Sequence, residues 1–142
     1  MEPRSVPTEV LRGVHVHIRH WDYLIVSAGS ARIGLRDLRR TSTSFGRTAM
    51  LEVHGDALQA VIIPPGVAHG FYFLTPATHV YAVSEYWNTT DELGCHWADS
   101  DLELDFGAPS PMLSARDASA DSFSVLMAQL EPFQEGFSNW EG

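Results

Sequence analysis

The chain has 142 residues, which is the length of one ordinary domain with a single hydrophobic core. Eighteen acidic residues against nine basic ones give a net charge of −9, which argues against partners such as nucleic acid or anionic membranes. All nine basic residues are arginines. Schiff-base chemistry and a lysine-containing phosphate loop are therefore excluded, and a bound anion would have to be held by Arg, His or backbone N–H groups.

Two further features concern the cellular compartment. No segment has the roughly 18–20 apolar residues that a membrane span needs, and residues 1–10 lack the layout of a secretion signal. The single Cys95 cannot form an internal disulfide, which suits a reducing compartment. We therefore expect a cytoplasmic protein without a membrane partner.

Short apolar or alternating runs, separated by turn residues, extend from Val10 to about Tyr86 and predict at least six β-strands. In the first run Val14 and Val16 alternate with His15 and His17, which puts the aliphatic side chains on one face of a strand and the imidazoles on the other. The other predicted strands are Tyr23–Val26, Arg32–Leu38, Thr48–Val53, Leu58–Ile63, Ala68–Leu74 and Thr78–Tyr86. Strands at this spacing predict an all-β sandwich or barrel.

The pattern changes after Asp105. Apolar residues at positions 123, 126, 127 and 130 predict an amphipathic helix over about 119–131, with Ser119 or Asp121 as its N-cap. A helix with one apolar stripe has to pack on something, so we expect it to lie against the barrel. The chain has no internal repeat and no long linker, and residues 1–142 are expected to form a single domain.

Seven histidines include two spaced blocks: His15-x-His17 followed by Asp22, and Pro64-Pro65-Gly66-Val67-Ala68-His69. This spacing resembles the two-block signature of the cupin superfamily. Two histidines two apart on a strand aim at one cavity. A third histidine and a carboxylate from neighbouring strands could complete a divalent-metal site made of His15, His17, Asp22 and His69. Polar residues that line a cavity without a metal are the alternative.

A longer series of motifs runs in order from about residue 10 to residue 117. It comprises Arg12-Gly13-x-His15, Asp37-Leu38-Arg39-Arg40, Ser44-Phe45-Gly46-Arg47, Ile63-Pro64-Pro65-Gly66-Val67-Ala68-His69-Gly70-Phe71, Glu85-Tyr86-Trp87, Trp97-Ala98-Asp99-Ser100-Asp101-Leu102 and Leu113-Ser114-Ala115-Arg116-Asp117. This series resembles the dTDP-4-dehydrorhamnose 3,5-epimerase family. The resemblance implies a homodimer of cupin-type jelly-roll barrels, here about 10–117, that uses no metal or other cofactor.

The resemblance also implies site residues. His15 would be the general base, Asp117 would orient and polarise it, and Tyr81 would be the general acid. The implied substrate-binding residues are Arg12 at a phosphate, His69 at the sugar, and His17, Tyr86 and Glu92. The chemistry agrees, because removal of a proton next to a ketone needs a base with a pKa near neutrality, and a carboxylate-backed histidine supplies one.

Two positions depart from the family pattern. Asp22 stands where the family has an active-site lysine that helps to stabilise the enolate oxygen, and His17 stands where it has a glutamine. A carboxylate cannot stabilise an anion unless it is protonated or holds a metal. Together the two changes rebuild the general cupin metal set on an epimerase framework.

The sequence as a whole predicts a cofactor-independent epimerase or isomerase of carbohydrate biosynthesis. It would act by proton abstraction next to a ketone, on a dTDP-4-keto-6-deoxy sugar or a smaller relative. Two alternatives stay open. One is a metal-dependent cupin enzyme, such as an oxygenase, isomerase or cyclase, that uses His15, His17, Asp22 and His69. The other is a non-catalytic cupin that binds a small molecule.

Overall fold

The computed structural model describes residues 3–57, 59–83 and 91–137, and within them it contains nine strands and three short α-helices. The strands are Pro3–Val6 (β1), Leu11–His17 (β2), Asp22–Ala28 (β3), Ser30–Asp37 (β4), Thr48–His54 (β5), Ala60–Ile63 (β6), Val67–Phe73 (β7), Ala77–Val83 (β8) and Glu92–Gly94 (β9). The helices are Ala115–Ala118 (α1), Phe123–Leu130 (α2) and Gln134–Phe137 (α3). None of the helices in these described ranges is long and apolar enough to cross a membrane.

The strands form two antiparallel sheets. One has the order β1-β8-β3-β6 and the other the order β5-β4-β7-β2-β9. Every predicted strand of the barrel is present, although Leu58 and residues 84–90 lie outside the described residues. Strands β1 and β9 were not predicted, since neither short segment has an alternating apolar pattern.

An apolar cluster fills one part of the space between the two sheets. Along β3, Leu24 and Val26 are buried while Tyr23 and Ile25 are about two-fifths exposed, so one face of the strand points inward. Asp22 has the same parity as Leu24 and is buried as well. The cluster consists of Leu24, Val26, Ala31, Ile33, Val53, Ile63, Val67, Phe71, Phe73 and Ala77. Asp22 therefore lies inside the barrel, next to this cluster.

A second apolar cluster lies on the outer face of the larger sheet, where the C-terminal part of the chain covers it. Val14 and Val16 of β2 are fully buried there with Leu126 and Leu130 of α2. The expected packing of a C-terminal helix on the barrel is confirmed. Because Val14 and Val16 face this cluster, His15 and His17 face the opposite way, as the alternation predicted.

The predicted start of that helix was wrong. Helix α2 begins at Phe123, and its N-cap is Ser122, whose Oγ accepts a hydrogen bond from the backbone N–H of Val125 at 3.3 Å. Ser119 instead ends the separate turn α1, where its backbone N–H bonds to the Ala115 carbonyl. The sequence between residues 115 and 130 thus forms two short helices rather than one.

The register of β2 shifts between Gly13 and His15. Gly13 has φ of +116°, and a Cβ on it would lie 2.8 Å from the backbone oxygen of His69 in β7, so a side chain does not fit there. The shift lets Arg12 and His15 line the same cleft, although they are three residues apart on a strand.

Candidate active site

His15 and Asp117 form a hydrogen-bonded pair, with His15 Nε2 2.7 Å from Asp117 Oδ1. Helix α1 positions the carboxylate: its N-cap Ser114 accepts the backbone N–H of Asp117, and Asp117 Oδ2 accepts the backbone N–H of Gly13 at 3.2 Å. Burial alone would raise the pKa of Asp117, but the hydrogen bond from His15 outweighs it and lowers that pKa. We call His15 and Asp117 the cleft pair.

The cleft pair lines a cleft of about 410 Å³. Two arginines, Arg12 and Arg116, also line it. Within the described part of the chain no hydrogen bond or ion pair holds the Arg12 guanidinium, whereas Arg116 Nη1 donates to Glu92 Oε2 at 2.8 Å. Arg12 is therefore available to an anion in the cleft.

Glu92 of β9 connects the cleft pair to the histidines inside the barrel. Its Oε1 lies 3.1 Å from His15 Nδ1 and 3.4 Å from His17 Nε2. Burial opposes the charge of Glu92, but hydrogen bonds from His17 and Arg116 and the charge of His15 outweigh it and lower its pKa to about 2. Glu92 is thus an ionised carboxylate shared between the two histidines of β2.

Inside the barrel, three imidazoles surround Asp22. We call this set of His17, His20, Asp22 and His69 the inner cluster. Asp22 Oδ2 lies 2.7 Å from His17 Nδ1 and 3.1 Å from His69 Nε2, and Asp22 Oδ1 lies 3.2 Å from His20 Nε2. All four side chains are at most 5% exposed.

Burial and charge act in opposite directions in this cluster. Burial disfavours a charged His17, yet the contacts with Asp22 and Glu92 prevail and raise its pKa to about 9. Burial dominates at His69 and lowers its pKa although Asp22 is close. Asp22 itself is buried, but its imidazole neighbours hold its pKa well below the usual range. The cluster therefore contains a firmly ionised Asp22 and a neutral His69.

Tyr81 of β8 pairs with Leu24 of β3, and its ring meets Phe71 edge-on with 6.3 Å between the ring centroids. Burial, together with the negative charges of Asp22 and Glu92, raises the pKa of Tyr81 above its usual range. Its hydroxyl therefore keeps its proton and can act as a donor, and the carboxylate of Asp22 is within its reach.

The structure brings most of the predicted residues into one connected set. His15, His17, His69, Glu92 and Asp117 are joined through the short contacts above, Tyr81 lies within reach of the charges of two of their carboxylates, and Arg12 shares the cleft. The remaining predicted residue, Tyr86, lies outside the described residues.

The candidate metal set differs from the predicted one. His15 contacts Asp117 and Glu92, whereas the imidazoles in contact with Asp22 are those of His17, His20 and His69. His20 takes the place beside Asp22 that we expected for His15. Sequence reasoning missed His20 because the irregular segment between β2 and β3 gives no periodicity from which its direction could be read. The His17-x-x-His20-x-Asp22 spacing was the available signal.

Asp91 is a second residue that the sequence did not single out. Its Oδ2 accepts from His20 Nδ1, and its Oδ1 accepts the backbone N–H groups of Ile18 and Arg19 at 3.0 and 2.7 Å. Asp91 thereby fixes the His20 ring and the backbone that follows β2.

A family model described as dTDP-4-dehydrorhamnose 3,5-epimerase matches residues 3–124. A curated enzyme of that name from Pseudomonas aeruginosa is 32% identical over 119 residues, which are 81% of this chain and 66% of the relative. The enzyme of that name from Shigella flexneri is 26% identical over 118 residues, 80% of this chain and 65% of the relative. The chain thus spans about two thirds of the length of these curated relatives.

Solved structures agree with the fold. The epimerase of Mycobacterium tuberculosis superposes with a TM-score of 0.83 at 27% identity, covering 99% of this chain and 76% of that one. The 3,5-epimerase of Legionella pneumophila, solved in complex with dTDP-4-keto-L-rhamnose, superposes with a TM-score of 0.80 at 28% identity, covering 91% and 71%. The predicted all-β, cupin-type jelly roll is confirmed.

Proposed function

The chain belongs to the dTDP-4-dehydrorhamnose 3,5-epimerase family, and from this premise we propose that it is an epimerase of a 4-keto-6-deoxy sugar. The reaction is removal of a proton from a carbon next to the ketone and its return to the opposite face. The substrate is dTDP-linked or is a smaller keto-sugar relative. The reaction removes and returns one proton without net oxidation, so the protein's own acid and base are sufficient for the proton transfers.

The observation that carries this proposal is the cleft pair. Asp117 is an acceptor, so His15 presents its Nε2–H to Asp117 and leaves Nδ1 as the basic nitrogen. An ionised carboxylate behind the ring holds the tautomer and stabilises the imidazolium that forms when the proton is taken. The Glu92 oxygen lies 3.1 Å from the same nitrogen, so a substrate would have to displace Glu92 from His15 Nδ1 before His15 can act as the base. Glu92 would then contact the reacting part of the substrate.

Tyr81 is the proposed general acid. Its raised pKa keeps the hydroxyl protonated, which a donor requires. It comes from the smaller sheet, whereas His15 comes from the larger one, so the two groups can approach a bound sugar from different sides. Inversion needs such an arrangement, because one group alone would remove and return the proton on the same face.

The two arginines of the cleft, Arg12 and Arg116, would bind the phosphate groups of a nucleotide-linked substrate. The unpaired guanidinium of Arg12 can form a bidentate pair with a phosphate, and Arg116 lies on the same cleft wall. His17, His69 and Tyr86 are the further proposed substrate contacts, with His69 neutral and therefore able to hydrogen-bond to an uncharged sugar.

Deuterium incorporation tests the proposal. The untagged chain is incubated in D₂O with a dTDP-4-keto-6-deoxyhexose and, separately, with the free keto-sugar, and C3 and C5 are followed by NMR. We expect deuterium at C3, C5 or both, with net inversion. Binding of dTDP without exchange on either substrate would favour the non-catalytic alternative, and exchange of the free sugar alone would exclude the nucleotide requirement.

The remaining proposals concern the state of the protein. We propose that residues 1–142 form one cupin domain, that the protein is a homodimer and that it is cytoplasmic. The family resemblance supports the dimer. Cys95 is the single cysteine and is buried without an internal disulfide partner, which suits a reducing compartment. Light scattering on the purified chain, with a mass of one or of two copies as the outcome, tests the dimer.

A further inference from the structure

His17, His20 and Asp22 lie together inside the barrel, and the proposed proton transfers do not use His20 or Asp22. One ligating atom from each of the three side chains lies within 4.8 Å of the ligating atoms of the other two. The side chains are 5%, 1% and 1% exposed. Burial of two imidazoles and one carboxylate together costs free energy of folding, unless a cation lies between them.

The tautomer of His20 is fixed from outside the set. Its Nδ1 faces Asp91, and a carboxylate held by two backbone N–H groups can only accept, so Nδ1 carries the ring hydrogen. In a neutral ring the lone pair is then on Nε2, which lies 3.2 Å from Asp22 Oδ1. A carboxylate behind one nitrogen of a histidine, with the other nitrogen free, is the usual arrangement around a metal-binding histidine.

His17 and His69 are oriented in the same way. His17 Nε2 lies 3.4 Å from the Glu92 carboxylate, which leaves Nδ1 directed at Asp22 Oδ2 at 2.7 Å. His69 Nδ1 donates to the Val67 carbonyl at 3.1 Å, which leaves Nε2 directed at the same Asp22 oxygen at 3.1 Å. The lone pairs of His20 Nε2 and His69 Nε2 and the Nδ1 atom of His17 therefore converge on one carboxylate. His17 would bind a metal after losing the Nδ1 proton, because metal binding displaces the protons of its ligands.

Four of the converging atoms have no hydrogen-bond partner among the described residues. His17 Nδ1, His20 Nε2 and both carboxylate oxygens of Asp22 are buried and make no hydrogen bond of acceptable geometry to any described residue. Orphaned buried acceptors are destabilising. Their mutual spacing fits an ion, since ligands about 2.1 Å from one divalent cation lie about 3 Å from one another.

We propose that His17, His20 and Asp22 bind one divalent transition-metal ion, with Asp91 positioning His20 and with His69 beside the open part of the coordination sphere. Two imidazoles and one carboxylate suit Fe²⁺, Mn²⁺, Co²⁺, Ni²⁺ or Zn²⁺, and they suit Mg²⁺ and Ca²⁺ poorly because those ions prefer oxygen ligands. The site is distinct from the cleft pair and its existence does not depend on the proposed epimerisation, although it shares His17 with the proposed substrate contacts.

Metal binding is measured directly, without an activity assay. The untagged chain is analysed for metals as purified, stripped with a chelator, and titrated with Co²⁺ and Zn²⁺. We expect about one equivalent bound, ligand-field bands in the Co²⁺ visible spectrum, and a rise in Tm on metal addition. Failure of the wild type to take up either Co²⁺ or Zn²⁺ saturably would overturn the proposal and would mean that a shared proton, rather than a metal, balances the cluster.

Variants locate the site. His20→Asn and Asp22→Asn should weaken binding at least ~100-fold, and Asp91→Asn about 10- to 100-fold, since outer partners of ligating histidines have effects of that size. His54→Ala, at an exposed histidine of β5, is the matched control and should bind as the wild type does. His15→Asn should also keep the metal. Unchanged affinity in His20→Asn, or loss in His15→Asn, contradicts the assignment.

A measurement on the wild type covers the case in which the buried variants do not fold. In ¹⁵N-histidine-labelled protein, Zn²⁺ should shift the Nδ1 signal of His17 and the Nε2 signal of His20. The opposite nitrogens, which face Glu92 and Asp91, should stay protonated. A Zn²⁺ response confined to His54 or His96 would place the binding at the surface and overturn the proposal.

Discussion

The cleft pair and the inner cluster are built from the same residue types, yet they differ in what their imidazoles face. His15 is 21% exposed, and its Nε2 makes a satisfied hydrogen bond to Asp117. The inner cluster is almost fully buried, and His17 Nδ1, His20 Nε2 and both Asp22 oxygens meet there without a hydrogen-bond partner among the described residues. A histidine beside a carboxylate therefore has no fixed role. Access to a cleft suits His15 to proton transfer, and the convergence of unpartnered atoms suits the inner cluster to a cation.

The largest effect that separates the two regions is expected at Tyr81, which lies between them. Tyr81→Phe removes the proposed proton donor while the His15 base remains. Inversion should fall by roughly 10³-fold, within the usual range for a general acid, whereas deuterium exchange with retention should persist. Chiral analysis of the exchanged sugar measures both. Equal loss of exchange and inversion would show that Tyr81 is not a separate donor.

Asp117→Asn tests whether the cleft pair works as a unit. The amide would present N–H toward His15 Nε2 and favour the wrong tautomer, so exchange should slow about 100-fold. The Gly13 N–H can still be accepted by the amide oxygen, so the fold should persist. The comparison variant is Asp121→Asn, at an exposed aspartate near the same helices, and it should exchange at the wild-type rate. A wild-type rate in Asp117→Asn would remove Asp117 from the mechanism.

Arg12→Ala tests the anion side of the cleft. Loss of a bidentate guanidinium–phosphate pair should cost at least ~1.5 kcal/mol, which is about tenfold in the Kd for dTDP. Arg47→Ala, at an exposed arginine away from the cleft residues, serves as the control for overall charge. Calorimetry at fixed ionic strength gives both values. Equal affinities of the two variants would mean that Arg12 does not contact the nucleotide.

The smallest expected effect concerns a carboxylate outside both regions. Asp37 receives two 2.9 Å bonds from the Arg39 guanidinium and one from the Ser44 hydroxyl. Burial would raise its pKa, but these bonds outweigh burial and lower it to about 2. A carboxyl group with a lowered folded-state pKa stabilises the fold above its ordinary pKa, and that stabilisation is lost as the pH falls from about 4 to about 2.

Asp37→Asn should therefore reduce the free energy of unfolding by ~1 kcal/mol at pH 7, and the difference from wild type should vanish near pH 2. Urea unfolding at several pH values measures it. A difference that stays constant across pH would show that charge pairing between Asp37 and Arg39 does not stabilise the fold.

The sequence predicted the parts of the molecule that depend on periodicity. Alternation in β2 placed His15 and His17 opposite Val14 and Val16. The apolar spacing of positions 123–130 predicted α2. The motif resemblance selected His15 and Asp117, which are 102 residues apart and lie in contact. No periodicity reaches across that distance, so this pairing depended on the resemblance alone.

The predictions from the sequence were wrong where the chain has no regular secondary structure. His20 lies between β2 and β3, and its direction is set by Asp91, which is 71 residues away. The metal set of the metal-dependent alternative therefore contained His15, whereas His20 lies beside Asp22 in the structure. The helix start was misplaced because Ser119, Asp121 and Ser122 are all good N-caps by residue type, so residue type alone does not select Ser122.

The most direct measurement is the rate of deuterium incorporation by wild type and by His15→Asn at equal enzyme concentration. His15→Asn keeps the size of the side chain and removes the base, so we predict a fall of roughly 10³-fold or more. Tm and dTDP affinity should stay near the wild-type values, and so should the metal content. A His15→Asn rate within a few-fold of wild type, in folded protein, would contradict the assignment of the cleft pair as the site of proton abstraction.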